Sequence, residues 1–114
     1  MIVEYATWQV DAPDLDAYVQ WHGHLARLCR EEQGCLAYDV RVDPDDPTRR
    51  SLFQAWESAE AFAAHIDFPA HKEMLVGGKP WTTRHVVIQR WDDAREYHTV
   101  SIDEARERAG MPPE

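Results

Sequence analysis

The chain has 114 residues, which is room for one domain with one ordinary core. With 44% hydrophobic and 29% charged residues it has the make-up of a globular protein. Its formal net charge of −9 argues against nucleic acid or an anionic membrane as partner, since both need a positive patch.

No run approaches the ~18 apolar residues of a membrane span. A strand-like pattern that begins at Ile2 leaves no space for a signal peptide, so a cytoplasmic location is expected. Cys29 and Cys35 are too few for a disulfide framework and are not spaced as Cys-x-x-Cys, which predicts two reduced thiols. Five Trp, four Tyr, three Phe and six His exceed what a small core needs, and point to a pocket or an interface.

Residues Ile2 to Val10 are rich in β-branched and aromatic side chains and predict a first strand. Asp11-Ala12-Pro13-Asp14 then signals a helix start. Leu15, Tyr18, His22, Leu25 and Cys29 recur at three and four, with Trp21 and Leu28 widening the stripe, so a helix is expected to about Glu32. Gly34 ends it. From Cys35 to Val42 the chain alternates, with Leu36, Tyr38, Val40 and Val42 on one side. Asp43-Pro44-Asp45-Asp46-Pro47 is a dense turn signal, after which Ser51 to Glu57 forms the hairpin's second strand.

Ser58 caps a second helix carrying Ala61, Phe62, His65 and Ile66 at helical spacing. Pro69 interrupts it, a short helical turn from about Ala70 to Leu75 follows, and Gly77-Gly78-Lys79-Pro80 reads as a flexible loop. His85 to Trp91 is the fourth strand. Residues 1–92 thus make a β-α-β-β-α-β domain, and 93–114 a polar extension. In that extension Ser101-Ile102-Asp103-Glu104 is a capping-box sequence that can start a short helix.

Two β-α-β halves give an antiparallel sheet with both helices on one face, a ferredoxin-like α+β fold. The other face is not polar: Tyr5 and Phe53 lie on the side opposite Trp8, Leu52 and Trp56. A sheet apolar on both sides needs two covers, and the second is expected to be another copy of the chain. The extension could reach across to that partner.

His65 and His71 flank Phe68-Pro69, where the second helix breaks, and an imidazole that titrates near 6.5 suits proton abstraction. His22 lies on the buried stripe of the first helix. His24, two residues on, points elsewhere, so the pair cannot chelate a metal from one helical face, and no metal site is expected. Trp81 follows the Gly-Gly-Lys-Pro loop, which could act as a lid. No nucleophile elbow, zinc-binding His-Glu-x-x-His or dinucleotide fingerprint is present.

Gly34, Tyr38, the Asp43–Pro47 turn, Leu52-Phe53-Gln54-Ala55-Trp56-Glu57-Ser58, Ala61-Phe62, His65 and Pro69-Ala70-His71 together resemble the antibiotic biosynthesis monooxygenase family. Its members are small proteins of the dimeric α+β barrel type. The resemblance spans roughly residues 1 to 91. It implies cofactor-independent oxygenation of an aromatic phenol, quinol or polyketide-like small molecule by O₂, with no flavin or metal. Mapped onto this chain, His65 or His71 would act as base or position oxygen. Trp56, Phe62, Phe68 and Trp81 would form walls, with His22 also in the substrate-binding set. Gln54 stands where family members often carry an acid, and the chain has no Asn, which sets it apart from the haem-degrading branch. A non-catalytic binding or accessory role, and an isomerase or lyase using the same histidine, are the alternatives on this scaffold.

Overall fold

The computed structural model describes residues 1–69, 83–96 and 98–114. The expected short helical turn after Pro69, the Gly-Gly-Lys-Pro loop, His71 and Trp81 lie outside the described residues.

Strand β1 (Ile2–Val10) leads through a 3₁₀ turn (Ala12–Asp14) into helix α1 (Leu15–Arg30). Strands β2 (Cys35–Asp43) and β3 (Asp46–Trp56) form a hairpin, then come helix α2 (Ala59–Asp67), strand β4 (Thr83–Trp91) and a short helix α3 (Ile102–Arg108). The sheet order is β2-β3-β1-β4, all antiparallel. This is the ferredoxin-like arrangement expected from the element order, with the outer strands β2 and β4 flanking the two central ones.

Period-two alternation sorts β1 cleanly. Ile2, Glu4, Ala6 and Val10 are buried, whereas Tyr5 is 40% exposed. The buried set faces α1 and α2. Ile2, Leu25, Ala26, Cys29, Tyr38, Leu52 and Trp56 form the main core, with Trp8, Trp21 and Phe62 packed around it. Burial of α1 falls on Tyr18, His22, Leu25, Ala26 and Cys29, the stripe that its spacing predicts, with Ala26 added.

Several boundaries differ from expectation. Helix α1 stops at Arg30, and Glu32 lies in the turn beyond it, its amide donating to the Cys29 carbonyl at 3.1 Å. The hairpin turn is shorter than its five-residue signal: Asp43 pairs with Asp46, leaving Pro44 and Asp45 as the loop. Asp43 Oδ1 accepts from the Asp45 amide at 2.8 Å and Asp46 Oδ1 from the Thr48 amide at 3.0 Å, so the aspartates themselves close the turn and β3 starts early. Leu36 is 41% exposed rather than inward, because a register shift between Cys35 and Ala37 interrupts the alternation at the start of β2. Val42 is 49% exposed, out at the hairpin end.

Helix α2 is capped as expected, with Ser58 Oγ accepting from the Ala61 amide at 3.0 Å. Helix α3 uses the same device, Ser101 Oγ accepting from the Glu104 amide at 3.0 Å. None of its residues is buried. Among the described residues no helix is long and apolar enough to cross a membrane.

Candidate functional site

The helical spacing of Tyr18, His22 and Cys29, continued three residues on by Glu32, aims four chemically active side chains at the same strip of the sheet. The strip's centre is Tyr38 on β2. The Tyr18 hydroxyl lies 2.9 Å from His22 Nδ1, and the Tyr38 hydroxyl lies 3.2 Å from His22 Nε2. All three side chains are at most 2% exposed. A neutral imidazole has one donor and one acceptor nitrogen. Hence one tyrosine donates to His22 and the other accepts from it, and exchanging the tautomer reverses both bonds without breaking either. Burial raises the pKa of both phenols well above the ordinary tyrosine value, which keeps them protonated and able to donate. Replacing either Tyr18 or Tyr38 by Phe is expected to cost about 1–3 kcal/mol in urea unfolding, since a buried ring nitrogen loses its tyrosine.

Tyr38 also shares the main core cluster with Cys29 and meets the second histidine edge-on. Burial pushes the Cys29 thiol up to about 12, and the Glu32 carboxylate adds to the effect. Cys35 is raised too, again chiefly by burial.

His65 enters from α2 and is fully buried. Its ring stacks on Trp56 with centroids 4.5 Å apart and planes at 26°, and meets Tyr38 edge-on at 5.8 Å. His65 Nδ1 lies 3.0 Å from Glu32 Oε2, and the Glu32 side chain is 15% exposed. The carboxylate therefore fixes the imidazole's orientation. One potential donor atom each from Cys29, Glu32 and His65 lie within 4.8 Å of one another, a set able to hold a metal ion and not anticipated from the histidine spacing.

A second polar chain lies beside the first. The Trp56 indole N–H donates to Gln54 Oε1 at 2.8 Å, and Gln54 Nε2 donates to Glu4 Oε1 at 3.2 Å. Arg90 Nε donates to Glu4 Oε2 at 2.8 Å while its guanidinium lies 5.0 Å above the Phe62 ring. Gln54 is 4% and Glu4 7% exposed. Glu4 pairs in register with Gln54 across β1 and β3, which sets its carboxylate beside the amide.

Of the side chains singled out from sequence, His65, Trp56, Phe62 and His22 meet in this layer between helices and sheet. Trp56 is itself core, with no exposed surface. Phe68 follows α2 directly and is half-buried. Spacing puts Tyr18 and Tyr38 on inward faces without giving them a role, and it does not point to Glu4, Glu32 or Arg90. Glu4 carried a signal: it is an acid in phase with the buried Ile2 and Ala6.

A cavity of about 530 Å³ opens elsewhere, at the hairpin end of the sheet, lined by residues including Tyr5, Gln9, Arg49, Arg50 and His85. His85 has a positive φ of 53°, where the β1–β4 register shifts. Neither His22 nor His65 borders it.

The order β2-β3-β1-β4 with two helices on one face, over a buried layer of imidazole, phenol and carboxylate, defines an α+β protein of the ferredoxin-like type. The sequence pattern of the antibiotic biosynthesis monooxygenases matches residues 1–75, and the chain belongs to that family. A Deinococcus radiodurans protein ascribed to the same family superposes with a TM-score of 0.75 at 21% identity, covering 89% of this chain and 100% of the other. Rv0793 of Mycobacterium tuberculosis gives 0.69 at 21%, covering 86% and 100%. PA3566 of Pseudomonas aeruginosa gives 0.71 at 20%, covering 82% and 94%. No curated protein sequence matches the chain.

Proposed function

We propose that the chain is a cofactor-independent monooxygenase that oxidises a phenol- or quinol-type aromatic with O₂, and that it works as a homodimer. One observation carries the reading: His65, oriented by Glu32, lies among the rings of Trp56, Tyr38 and Phe62. In this reading the oriented imidazole takes the phenol proton. The phenolate passes an electron to O₂, the two radicals join as a ring hydroperoxide, and loss of water leaves the quinone. The dry surroundings strengthen every dipole that faces the developing anion.

Oxygen uptake with a panel of hydroquinones and naphthols tests this. The expected result is turnover that falls by roughly 10²–10⁴ in His65→Ala. Absence of turnover with every aromatic, in a protein that still binds one of them, would overturn it. That outcome would favour a binding or accessory role, for which the full enclosure of the His65 side chain already speaks.

Support for the dimer comes from the uncovered sheet face, where Tyr5, Val87 and Trp91 are 40%, 56% and 52% exposed. Val100, Ile102 and Met111 are also exposed, which supports an extension whose apolar residues pack on the partner. Light scattering should return twice the 13.2 kDa chain mass.

A further inference from the structure

We infer that Cys29, Glu32 and His65 form a binding site for a single thiophilic divalent cation of the zinc type, reached past the Glu32 side chain. The three donors are the sulfur, oxygen and nitrogen groups that such an ion selects. They come from two elements fixed independently: Cys29 and Glu32 are three apart across the closing turn of α1, with the Glu32 amide bonded to the Cys29 carbonyl, while His65 sits on α2. Their mutual distances are at most 4.8 Å. Ligands of a tetrahedral zinc ion stand roughly 3.3–3.6 Å apart given its bond lengths, so shifts of about 1 Å close the set, and Glu32 and His65 are already 3.0 Å apart.

Charge favours the same occupant. On binding, the Cys29 thiol releases its proton to solvent, and the thiolate, the carboxylate and the neutral imidazole together balance a dication. An electroneutral cluster can be buried where a lone carboxylate or thiolate could not. Depth of burial supports it as well: Cys29 and His65 have no exposed surface, whereas the Glu32 side chain keeps 15%, which gives an ion a way in past the carboxylate. Tyr38 packs in the same core cluster as Cys29, and polar neighbours of this kind commonly steady a metal-bound ligand from outside. Three protein ligands leave a fourth position open to water or an anion.

One consequence rests on the function proposed above: a cation on His65 removes the base, so zinc would switch turnover off and a chelator would restore it.

The test uses the full chain, reduced and stripped of metal, titrated with Co²⁺. The expected result is saturation at one ion per chain, with a thiolate-to-cobalt charge-transfer band and tetrahedral ligand-field bands, displaced by Zn²⁺. Cys29→Ser should lose the charge-transfer band, and Cys35→Ser should keep it. Glu32→Gln, at the most exposed of the three positions, should weaken binding by at least about tenfold. A wild-type protein without the band, or a band that survives in Cys29→Ser and vanishes in Cys35→Ser, would overturn the site. Because the band is read without substrate, a protein that binds cobalt yet oxidises no aromatic would refute the monooxygenase reading and leave the site standing.

Discussion

Trp56→Ala is expected to lower the unfolding free energy by about 4–6 kcal/mol. Trp56 has no exposed surface and belongs to the main core, so its removal leaves a large cavity, worth about 3–5 kcal/mol for a buried tryptophan. The indole N–H also satisfies Gln54 Oε1 at 2.8 Å, and leaving that buried carbonyl without its donor adds roughly 1 kcal/mol. The loss is a large share of the 5–15 kcal/mol that holds an ordinary domain together, roughly, and should appear as a fall in melting temperature on the order of 15 °C. Trp56→Phe separates the two contributions. It keeps a ring for His65 to stack on and fills most of the volume, yet removes the donor, so the fall should be less than half as large. Equal losses in the two variants would show that the hydrogen bond to Gln54, not packing, dominates at this position.

The second large effect is expected at Gly34. Its φ of +84° lies in the left-handed region, and a Cβ built there would stand 2.5 Å from the Ala61 Cβ and 3.2 Å from the Glu57 Cγ. The Gly34 carbonyl accepts from the Glu57 amide at 2.9 Å, so the turn after α1 is tied to the segment that starts α2 and cannot swing away. Gly34→Ala should therefore cost about 1–2 kcal/mol for the backbone conformation and about 1–3 kcal/mol for the contact. Ala61→Gly makes the contact term measurable. Alone it should cost about 1 kcal/mol as a helix-interior glycine. Combined with Gly34→Ala it should recover the contact share, giving a favourable coupling in the double-mutant cycle. Strict additivity in urea unfolding would show that the backbone conformation alone makes Gly34 necessary.

The same glycine shows how much was legible from sequence and where legibility stopped. A glycine after a helical stripe marks a helix end whatever the fold, because it is a local backbone requirement. That its hydrogen position is needed to let Ala61 approach could not be read, since Ala61 is 27 positions away and meets it only when α2 docks. The histidines behave alike. The stripe Tyr18, His22, Leu25 and Cys29 placed His22 inside, but its two phenol partners needed the register of β2 against α1. His65 stands out by its position before Phe68-Pro69, while nothing local distinguishes its partner Glu32 among the 21 acidic residues of the chain.

What the sequence determined by itself was local and periodic: the β-α-β-β-α-β order, the inward faces of β1 and α1, the serine caps of α2 and α3, and with them a ferredoxin-like sheet with an apolar outer face. The bulge that turns Leu36 outward and the two-residue hairpin turn are among the local details that escaped it, because both depend on pairing between strands. The tertiary structure alone decided which polar groups meet. Glu32 with His65, Gln54 with Glu4 and Arg90 with Glu4 join residues 33, 50 and 86 positions apart. Periodicity says which way a side chain points, and only the packing of one element on another says what it finds there.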